Sequence, residues 1–89
     1  MKCIRIEDKK AGTKSRRLIQ TPKELGGILR MLRNSKKLKQ CEVSEELGIS
    51  RSTYAYYESG EITPPIFTLI KLSEIFGVEL TTLFFVNLV

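Results

Sequence analysis

The chain has 89 residues, 42% of them hydrophobic, and a formal net charge of +5 at pH 7. A chain of this length forms one domain, and its apolar content can hold that domain together without disulfide bonds. The sequence has no histidine, and Cys3 and Cys41 are far apart, which argues against a zinc site and against a histidine-based catalytic dyad. We therefore predict no metal and no cofactor, and an enzyme is the least expected class of protein.

No segment has the composition of an export signal or of a membrane span. The opening MKCIRIEDKK carries charges where a signal peptide needs an apolar run. The longest apolar stretch, LTTLFFVNLV, is short and interrupted by polar residues. Because two isolated cysteines also suit a reducing compartment, we expect a cytoplasmic protein that does not enter a membrane.

Positive charge is concentrated in the first part of the chain. Residues 1–39 contain 13 Lys and Arg against 3 Asp and Glu, a balance of +10, whereas residues 40–89 contain 2 against 7, a balance of −5. A basic chain suits a polyanionic partner, because neutralising phosphates releases counterions. A solvated basic segment beside an acidic surface explains the same distribution, so charge alone leaves both interpretations open.

Residues 1–20 lack helical periodicity and include the polar, basic run KKAGTKSRR. We predict that they form a flexible basic N-terminal arm, with a short strand as the alternative where KCIRI at residues 2–6 alternates polar and apolar residues. The folded domain, with an apolar C-terminal tail, is expected at residues 21–89.

Three helices are predicted besides those of a central motif, one before the motif and two after it. The first, at about residues 22–34, begins with Thr21 as N-cap, followed by a proline and a capping-box glutamate. Another, at about 65–76, follows Thr63-Pro64-Pro65, and a short fifth helix is expected at residues 81–85. Apolar residues at helical spacing form the inner faces of the two longer helices: Leu25, Ile28, Leu29 and Leu32, and then Ile66, Leu69, Leu72 and Phe76.

The central motif consists of two short helical segments around a glycine. The first segment, residues 40–47, ends at Gly48, which can adopt a positive φ without steric cost. Ser50 is a suitable N-cap for the second segment, residues 51–58. Helices joined by so few residues cross steeply, so the second one projects from the domain. This is the geometry of a helix-turn-helix, which presents the start of its second helix to the DNA major groove.

About a dozen positions between residues 25 and 84 match one known pattern in register. They are Arg33, Leu38-Lys39-Gln40, Val43, the run from Leu47 to Thr53, the run from Tyr57 to Gly60, Pro64, Leu69 and Gly77-Val78. This region, about two-thirds of the chain, resembles the Cro/phage-repressor (Xre-type) helix-turn-helix family. The resemblance implies an all-α, five-helix, lambda-repressor-like fold and a sequence-specific, usually dimeric, DNA-binding regulator.

The two faces of the second motif helix differ in chemistry. Tyr54 and Tyr57 are three residues apart and extend an apolar stripe toward the core. Arg51 begins the opposite face, where its guanidinium could donate to O6 and N7 of a guanine at once. A phosphate contact or a solvated arginine is the alternative. The candidate base-reading residues are Arg51, Ser52, Thr53 and Tyr56.

Phosphate contacts are expected at the start of the first motif helix. There, free backbone amides and the helix dipole favour a phosphate, and Gln40 can add a hydrogen bond. The resemblance also implies that Gln40 braces Arg51, and that the loop after the second motif helix lies against phosphate. The candidate phosphate contacts are Lys39, Gln40, Ser59, Gly60 and Thr63. The arm cations Lys14, Arg16 and Arg17 could follow the DNA backbone or a minor groove, or serve only to keep the arm solvated.

Glu58 lies at the C-terminal end of the second motif helix, where the helix dipole disfavours a carboxylate. A compensating cation is therefore expected, and in the family the arginine that matches Arg33 has that role. We predict an Arg33–Glu58 ion pair that ties the first helix to the second motif helix and is structural, not catalytic.

The C-terminal part of the chain carries more apolar residues than one small domain readily covers. If all were exposed they would form a patch that soluble monomers avoid. They could form a two-fold homodimer interface, which would place two reading helices about 34 Å apart on a palindrome. Completion of the core is the alternative. The candidate interface residues are Phe67, Ile75, Phe84, Phe85, Val86 and Leu88.

These observations predict sequence-specific binding of double-stranded DNA by the 40–47/51–58 motif. We expect a transcriptional regulator, of the repressor type, that acts as a homodimer on a palindromic site. The alternative is a protein-interaction module, such as an antitoxin or adaptor, that binds a partner protein through the apolar C-terminal surface.

Overall fold

Capping residues in the sequence set the ends of the helices. The hydroxyl of Thr21 accepts a hydrogen bond from the backbone N–H of Glu24, and Pro22 occupies the first helical position. The helix at Arg51–Ser59 is likewise capped by a hydroxyl, that of Ser50. Glycines with positive φ end three of the helices. The computed structural model describes residues 16–87. Its elements are β1 (Arg16–Leu18), α1 (Pro22–Ser35), α2 (Gln40–Leu47), α3 (Arg51–Ser59), α4 (Ile66–Phe76), a 3-10 helix (Leu80–Phe84) and β2 (Phe85–Asn87).

All five helical elements contribute to one hydrophobic core. The apolar spacing predicted α1 and α4 correctly, and most of the inner residues expected from it are buried. Leu32, Leu47 and Ile49 are half-buried and pack against this core. The fully or nearly fully buried hydrophobic residues are Leu25, Ile28, Leu29, Val43, Tyr54, Tyr57, Leu69, Leu72, Phe76 and Leu83.

Two predictions about the C-terminal half need correction. The fifth helix is a 3-10 helix at Leu80–Phe84, and Phe85, which was expected to end it, has extended backbone angles and begins β2. Ile66 was assigned to the inner face of its helix, but its side chain is 52% exposed. It is the first residue of α4, directly after Pro65, so it lies at the rim of the helix and not over the core.

A two-stranded antiparallel sheet joins the two ends of the described chain. Part of the predicted N-terminal arm therefore forms a strand against the C-terminal tail. The backbone N–H of Ile19 continues this contact by donating to the carbonyl of Phe84 at 2.7 Å. The predicted strand at residues 2–6 lies outside the described residues. The paired positions are Arg16 with Asn87, Arg17 with Val86 and Leu18 with Phe85.

Both arginines of β1 are engaged by the domain itself. The guanidinium carbon of Arg16 lies 4.4 Å from the centre of the Phe85 ring, a cation–π contact. Arg17 forms a bidentate ion pair with Glu24 of α1. The hydrogen bond from Arg17 is the main reason that the pKa of Glu24 falls to about 2. The third predicted arm residue, Lys14, lies outside the described residues.

The packing of α1 on α3 depends on the absence of a side chain at Gly26. A Cβ atom there would lie 2.2 Å from the carbonyl oxygen of Glu58, far closer than van der Waals contact allows. At the adjacent Gly27, a Cβ atom would have no neighbour within 4 Å. Two consecutive glycines in one helix therefore have opposite structural consequences.

We predict that Gly26→Ala and Gly27→Ala change stability in opposite directions. Gly26→Ala must push α1 away from α3 and should destabilise the fold by about 1–3 kcal/mol or more. Gly27→Ala should stabilise it by up to about 1 kcal/mol, because alanine has the higher helix propensity. Urea unfolding of both variants measures the two effects. Equal effects of the two substitutions would contradict the close approach of α1 and α3.

Candidate nucleic-acid interface

The turn between α2 and α3 fixes the direction in which α3 projects. Gly48 adopts φ 72° and ψ 30°, and the backbone N–H of Ile49 donates to the carbonyl of Ser44 at 3.0 Å. The hydroxyl of Ser50 then accepts from the backbone N–H of Thr53 at 3.1 Å and starts α3. The positive φ at the turn and the serine cap are the two features that were expected there from the sequence.

An ion pair between Arg33 and Glu58 joins α1 to the end of α3. Nε of Arg33 donates to Oε2 of Glu58 at 2.7 Å, and its Nη2 donates to Oε1 at 3.2 Å. Nη1 of Arg33 donates to the carbonyl of Leu38 at 2.8 Å, which ties the loop before α2 to the same pair. The Glu58 side chain is only 1% exposed. Burial alone would raise its pKa, but hydrogen bonds, foremost that from Arg33, lower it.

Gln40 connects this buried ion pair to the protein surface. Its Nε2 donates to Oε1 of Glu58 at 3.0 Å, and its Oε1 accepts from Nη1 of Arg51 at 3.0 Å. Arg51 is exposed at the first position of α3. A continuous chain of side-chain hydrogen bonds thus runs from α1 through α3 and α2 to the exposed guanidinium.

The predicted base-reading residues on α3 differ in their exposure to solvent. Arg51, Ser52 and Tyr56 are exposed, with Tyr56 one turn after Ser52. Thr53 is half-buried, and its hydroxyl oxygen accepts from Ser50 at 2.9 Å, so part of its hydrogen-bonding capacity serves the helix start. The exposed N-terminal part of α3 therefore consists of one cation and short or aromatic polar side chains.

The predicted phosphate contacts differ in their exposure and in the hydrogen bonds that they already make. Lys39 and Thr63 are exposed and Gln40 is half-buried. The amide of Gly60, in contrast, donates to the carbonyl of Tyr56 at 3.0 Å and serves to end α3. The hydroxyl of Ser59 also donates to that carbonyl, at 3.2 Å. Both groups therefore take part in ending α3, and their contact with phosphate stays a prediction.

The start of α2 is capped from inside the helix. Lysine has no side-chain acceptor, so Lys39 cannot cap α2 as a serine or threonine would. The carboxylate of Glu42 instead accepts from the backbone N–H of Lys39 at 2.7 Å. This half of a capping box keeps the helix start ordered while leaving the Lys39 ammonium exposed.

Arg30 and Tyr54 are two neighbours of Glu58 that the sequence analysis did not assign to it. Nε of Arg30 lies 3.8 Å from Oε1 of Glu58, and its side chain is largely exposed. Its position one turn before Arg33 on α1 is the signal that could have identified it. The hydroxyl of Tyr54 is buried without a hydrogen-bond partner among the described residues, and burial raises its pKa above the ordinary value.

Residues 16–87 contain neither a candidate metal-binding cluster nor a candidate membrane-spanning helix. No group of three or more cysteine, aspartate or glutamate side chains in this range is placed to hold a metal ion. Nor is any helix in it long and apolar enough to cross a bilayer.

The sequence model of the helix-turn-helix family matches residues 29–83, more than half of the chain. The protein therefore belongs to the helix-turn-helix family, of the Xre type that includes Cro and phage repressors, and the predicted resemblance is confirmed. The family consists of DNA-binding transcriptional regulators.

Two curated relatives are named as regulators from phages or prophages. The SPbeta prophage-derived uncharacterized HTH-type transcriptional regulator YonR of Bacillus subtilis (strain 168) is 43% identical over 54 residues, which cover 61% of this chain and 50% of YonR. The cryptic phage CTXphi transcriptional repressor RstR of Vibrio cholerae is 36% identical over 55 residues, 62% of this chain and 50% of RstR. The chain thus spans about half the length of these relatives.

Solved structures share the fold. The restriction-modification controller protein C.AhdI from Aeromonas hydrophila superposes with a TM-score of 0.67 and 28% identity, over 71% of this chain and 96% of that one. The enzyme HppE superposes with the same TM-score of 0.67 over 73% of this chain, but with 20% identity and only 36% of its own length. The second likeness concerns the fold alone.

We predict that the Glu58 ion pair makes stability fall in acid. The pKa of Glu58 is lower in the folded than in the unfolded chain, so its contribution is complete above about pH 4.3 and is lost as pH falls through the lowered pKa. Urea unfolding from neutral pH down to about pH 3 measures this loss. The double variant Arg33→Met/Glu58→Met, which replaces a buried ion pair by apolar side chains of similar size, should lose less stability over that range.

Glu24, whose pKa is about 2, is present in both proteins and cancels in the comparison. An equal loss of stability in the wild type and the double variant would show that Glu58 is not the group responsible.

Proposed function

We propose that the protein binds double-stranded DNA sequence-specifically and acts as a transcriptional repressor in the cytoplasm. The observation that supports this most is the position of Arg51, an exposed cation at the start of α3 that is held by Gln40 at 3.0 Å. In a helix-turn-helix, this is the part of the second helix that meets base edges in the major groove. The repressor role is supported by the relative RstR, which is named a transcriptional repressor.

In this proposal, base recognition and phosphate binding fall to different residues. Arg51 donates to a guanine, and Ser52, Thr53 and Tyr56 contact neighbouring bases or sugars. Lys39, Gln40 and Thr63 bind phosphates at either side of the groove, whereas Ser59 and Gly60 contribute mainly by ending α3. Because Arg16 and Arg17 are bound within the domain, we do not assign them to DNA.

We further propose a homodimer on a palindromic site. Phe67, near the start of α4, is 80% exposed, which is costly for a phenylalanine in a monomer. The exposed Ile62 and Ile66 lie close to it in sequence. Other predicted interface residues instead serve the fold: Ile75, Phe84 and Val86 are half-buried against the core, and Phe85 lies under Arg16. Leu88 lies outside the described residues.

A protein-interaction module is the second candidate function. An open apolar groove of about 300 Å³ lies between α1 and β2, with Gly27, Ile28 and Met31 on one side and Phe85 and Val86 on the other. An apolar segment of a partner protein, as expected for an antitoxin or adaptor, would fit such a groove. Salt separates the two functions, because DNA binding weakens steeply as salt rises whereas apolar contact does not.

Selection of bound duplexes from a random pool tests DNA recognition. We expect the wild type to enrich one palindromic sequence containing a guanine in each half-site, and Arg51→Ala to accept other bases there at a cost of about 1–3 kcal/mol in discrimination. Lys71→Ala, which removes the other cation after residue 40, is the matched control and should keep the preference. No enrichment at low salt would shift the assignment to the protein-interaction module.

Sedimentation velocity tests the dimer. Phe67→Glu should convert the wild-type dimer to a folded monomer and weaken binding to the palindrome, because a charge cannot be buried in an apolar interface without a partner. Met31→Glu alters another exposed apolar residue, on α1, and should leave the dimer intact. Dissociation by Met31→Glu alone would place the interface at the groove between α1 and β2.

A further inference from the structure

Glu58 accepts a hydrogen bond in addition to those of its ion pair with Arg33. Its Oε1 accepts from Nη2 of Arg33 at 3.2 Å and also from Nε2 of Gln40 at 3.0 Å. Gln40 is therefore held between a buried carboxylate on one side and the exposed guanidinium of Arg51 on the other. Arg51 and Glu58 lie near opposite ends of α3, and Gln40 is the first residue of α2.

The chemistry of the two neighbours allows only one orientation of the Gln40 amide. A carboxylate can only accept hydrogen bonds, and a guanidinium can only donate them. If the amide were reversed, its oxygen would face the Glu58 carboxylate and its NH₂ group would face the Arg51 cation, so both hydrogen bonds would be lost. Glu58 thus determines that an acceptor, and not a donor, is presented to Arg51.

This arrangement holds the Arg51 side chain before any DNA is bound. One Nη1–H group is used by Gln40, and the remaining N–H groups of the fork stay available for a base edge. A side chain that is already ordered loses less conformational entropy when it binds. The benefit applies only where the ordered side chain finds its partner base, so it increases discrimination and not binding to every sequence.

We propose that Glu58 is a positioning residue for base recognition, which acts on Arg51 through Gln40 in addition to tying α1 to α3. This inference rests on the proposed DNA-binding function. It assigns part of the sequence specificity to a buried carboxylate that touches no DNA. A purely structural Glu58 would affect the amount of folded protein and would leave discrimination between sequences unchanged.

The double variant Arg33→Met/Glu58→Met separates the two roles. It removes both members of the buried pair, so no unpaired charge remains in the interior and the fold is retained. Gln40→Met is the companion variant, because it leaves the Arg33–Glu58 pair intact and removes only the connection to Arg51. For each protein, equilibrium binding gives the ratio of affinities for the selected duplex and for the same duplex with the Arg51-contacted guanine pair exchanged.

We expect this ratio to fall by about 2- to 12-fold in both variants, which corresponds to the cost of ordering one long side chain. Combining the three substitutions should lower it no further, because all act on one connection. In the Arg51→Ala background, neither variant should change the ratio. A ratio equal to that of the wild type in the folded double variant would overturn the inference, as would additive effects of the two variants.

NMR relaxation of the Arg51 Nε–H group supplies a readout in the absence of DNA. Its order parameter should decrease in both variants relative to the wild type, whereas the backbone of α3 should remain ordered. If the order parameter were the same in both variants as in the wild type, the inference would be overturned, whatever the DNA binding of the variants. If the wild type showed no sequence preference, the proposed function would fail, whereas a wild-type preference that survives in both variants would reject only the role of Glu58.

Discussion

Three helices are joined at the buried carboxylate of Glu58. This group lies at the C-terminal end of α3, where the helix dipole opposes a negative charge, and it is almost fully removed from solvent. Either condition alone would favour the protonated form. The bidentate hydrogen bonds from Arg33 and the bond from Gln40 offset both, so the charge persists and α1, α2 and α3 are held at one point.

The backbone around Glu58 imposes a second constraint at the same place. Its carbonyl oxygen lies so near to Gly26 that no side chain can be added there. The ion pair therefore joins α1 and α3 where their backbones are already as close as packing allows. A side chain enlarged on either helix at this point must move the whole helix. This rigidity is useful in a protein that presents one short helix to a ligand, because the direction of α3 decides which side chains reach it.

Much of this architecture is encoded locally and could be predicted. Serine and threonine caps, prolines at helix starts and Gly48 specify where helices begin and end, and the spacing of apolar residues specifies their inner faces. The charge at Glu58 likewise indicates that a cation must be near. These signals need only a few neighbouring residues, so the four α-helices follow from the sequence, and so does the need for a cation beside Glu58.

The remainder depends on contacts between distant parts of the chain. Strands β1 and β2 are three residues each, and their partners lie at opposite ends of the sequence, so neither shows a pattern of its own. The different roles of Gly26 and Gly27 become visible only when α3 is in place. The exposure of Ile66 also arises from packing and cannot be read from residue type.

The most direct test of the account is a crystal structure of the protein bound to its selected duplex. We predict that α3 lies in the major groove, with the guanidinium of Arg51 hydrogen-bonded to O6 or N7 of a guanine while Gln40 still bridges Arg51 and Glu58. A complex in which Arg51 contacts only phosphate or solvent, or in which DNA lies on another face of the domain, would contradict it.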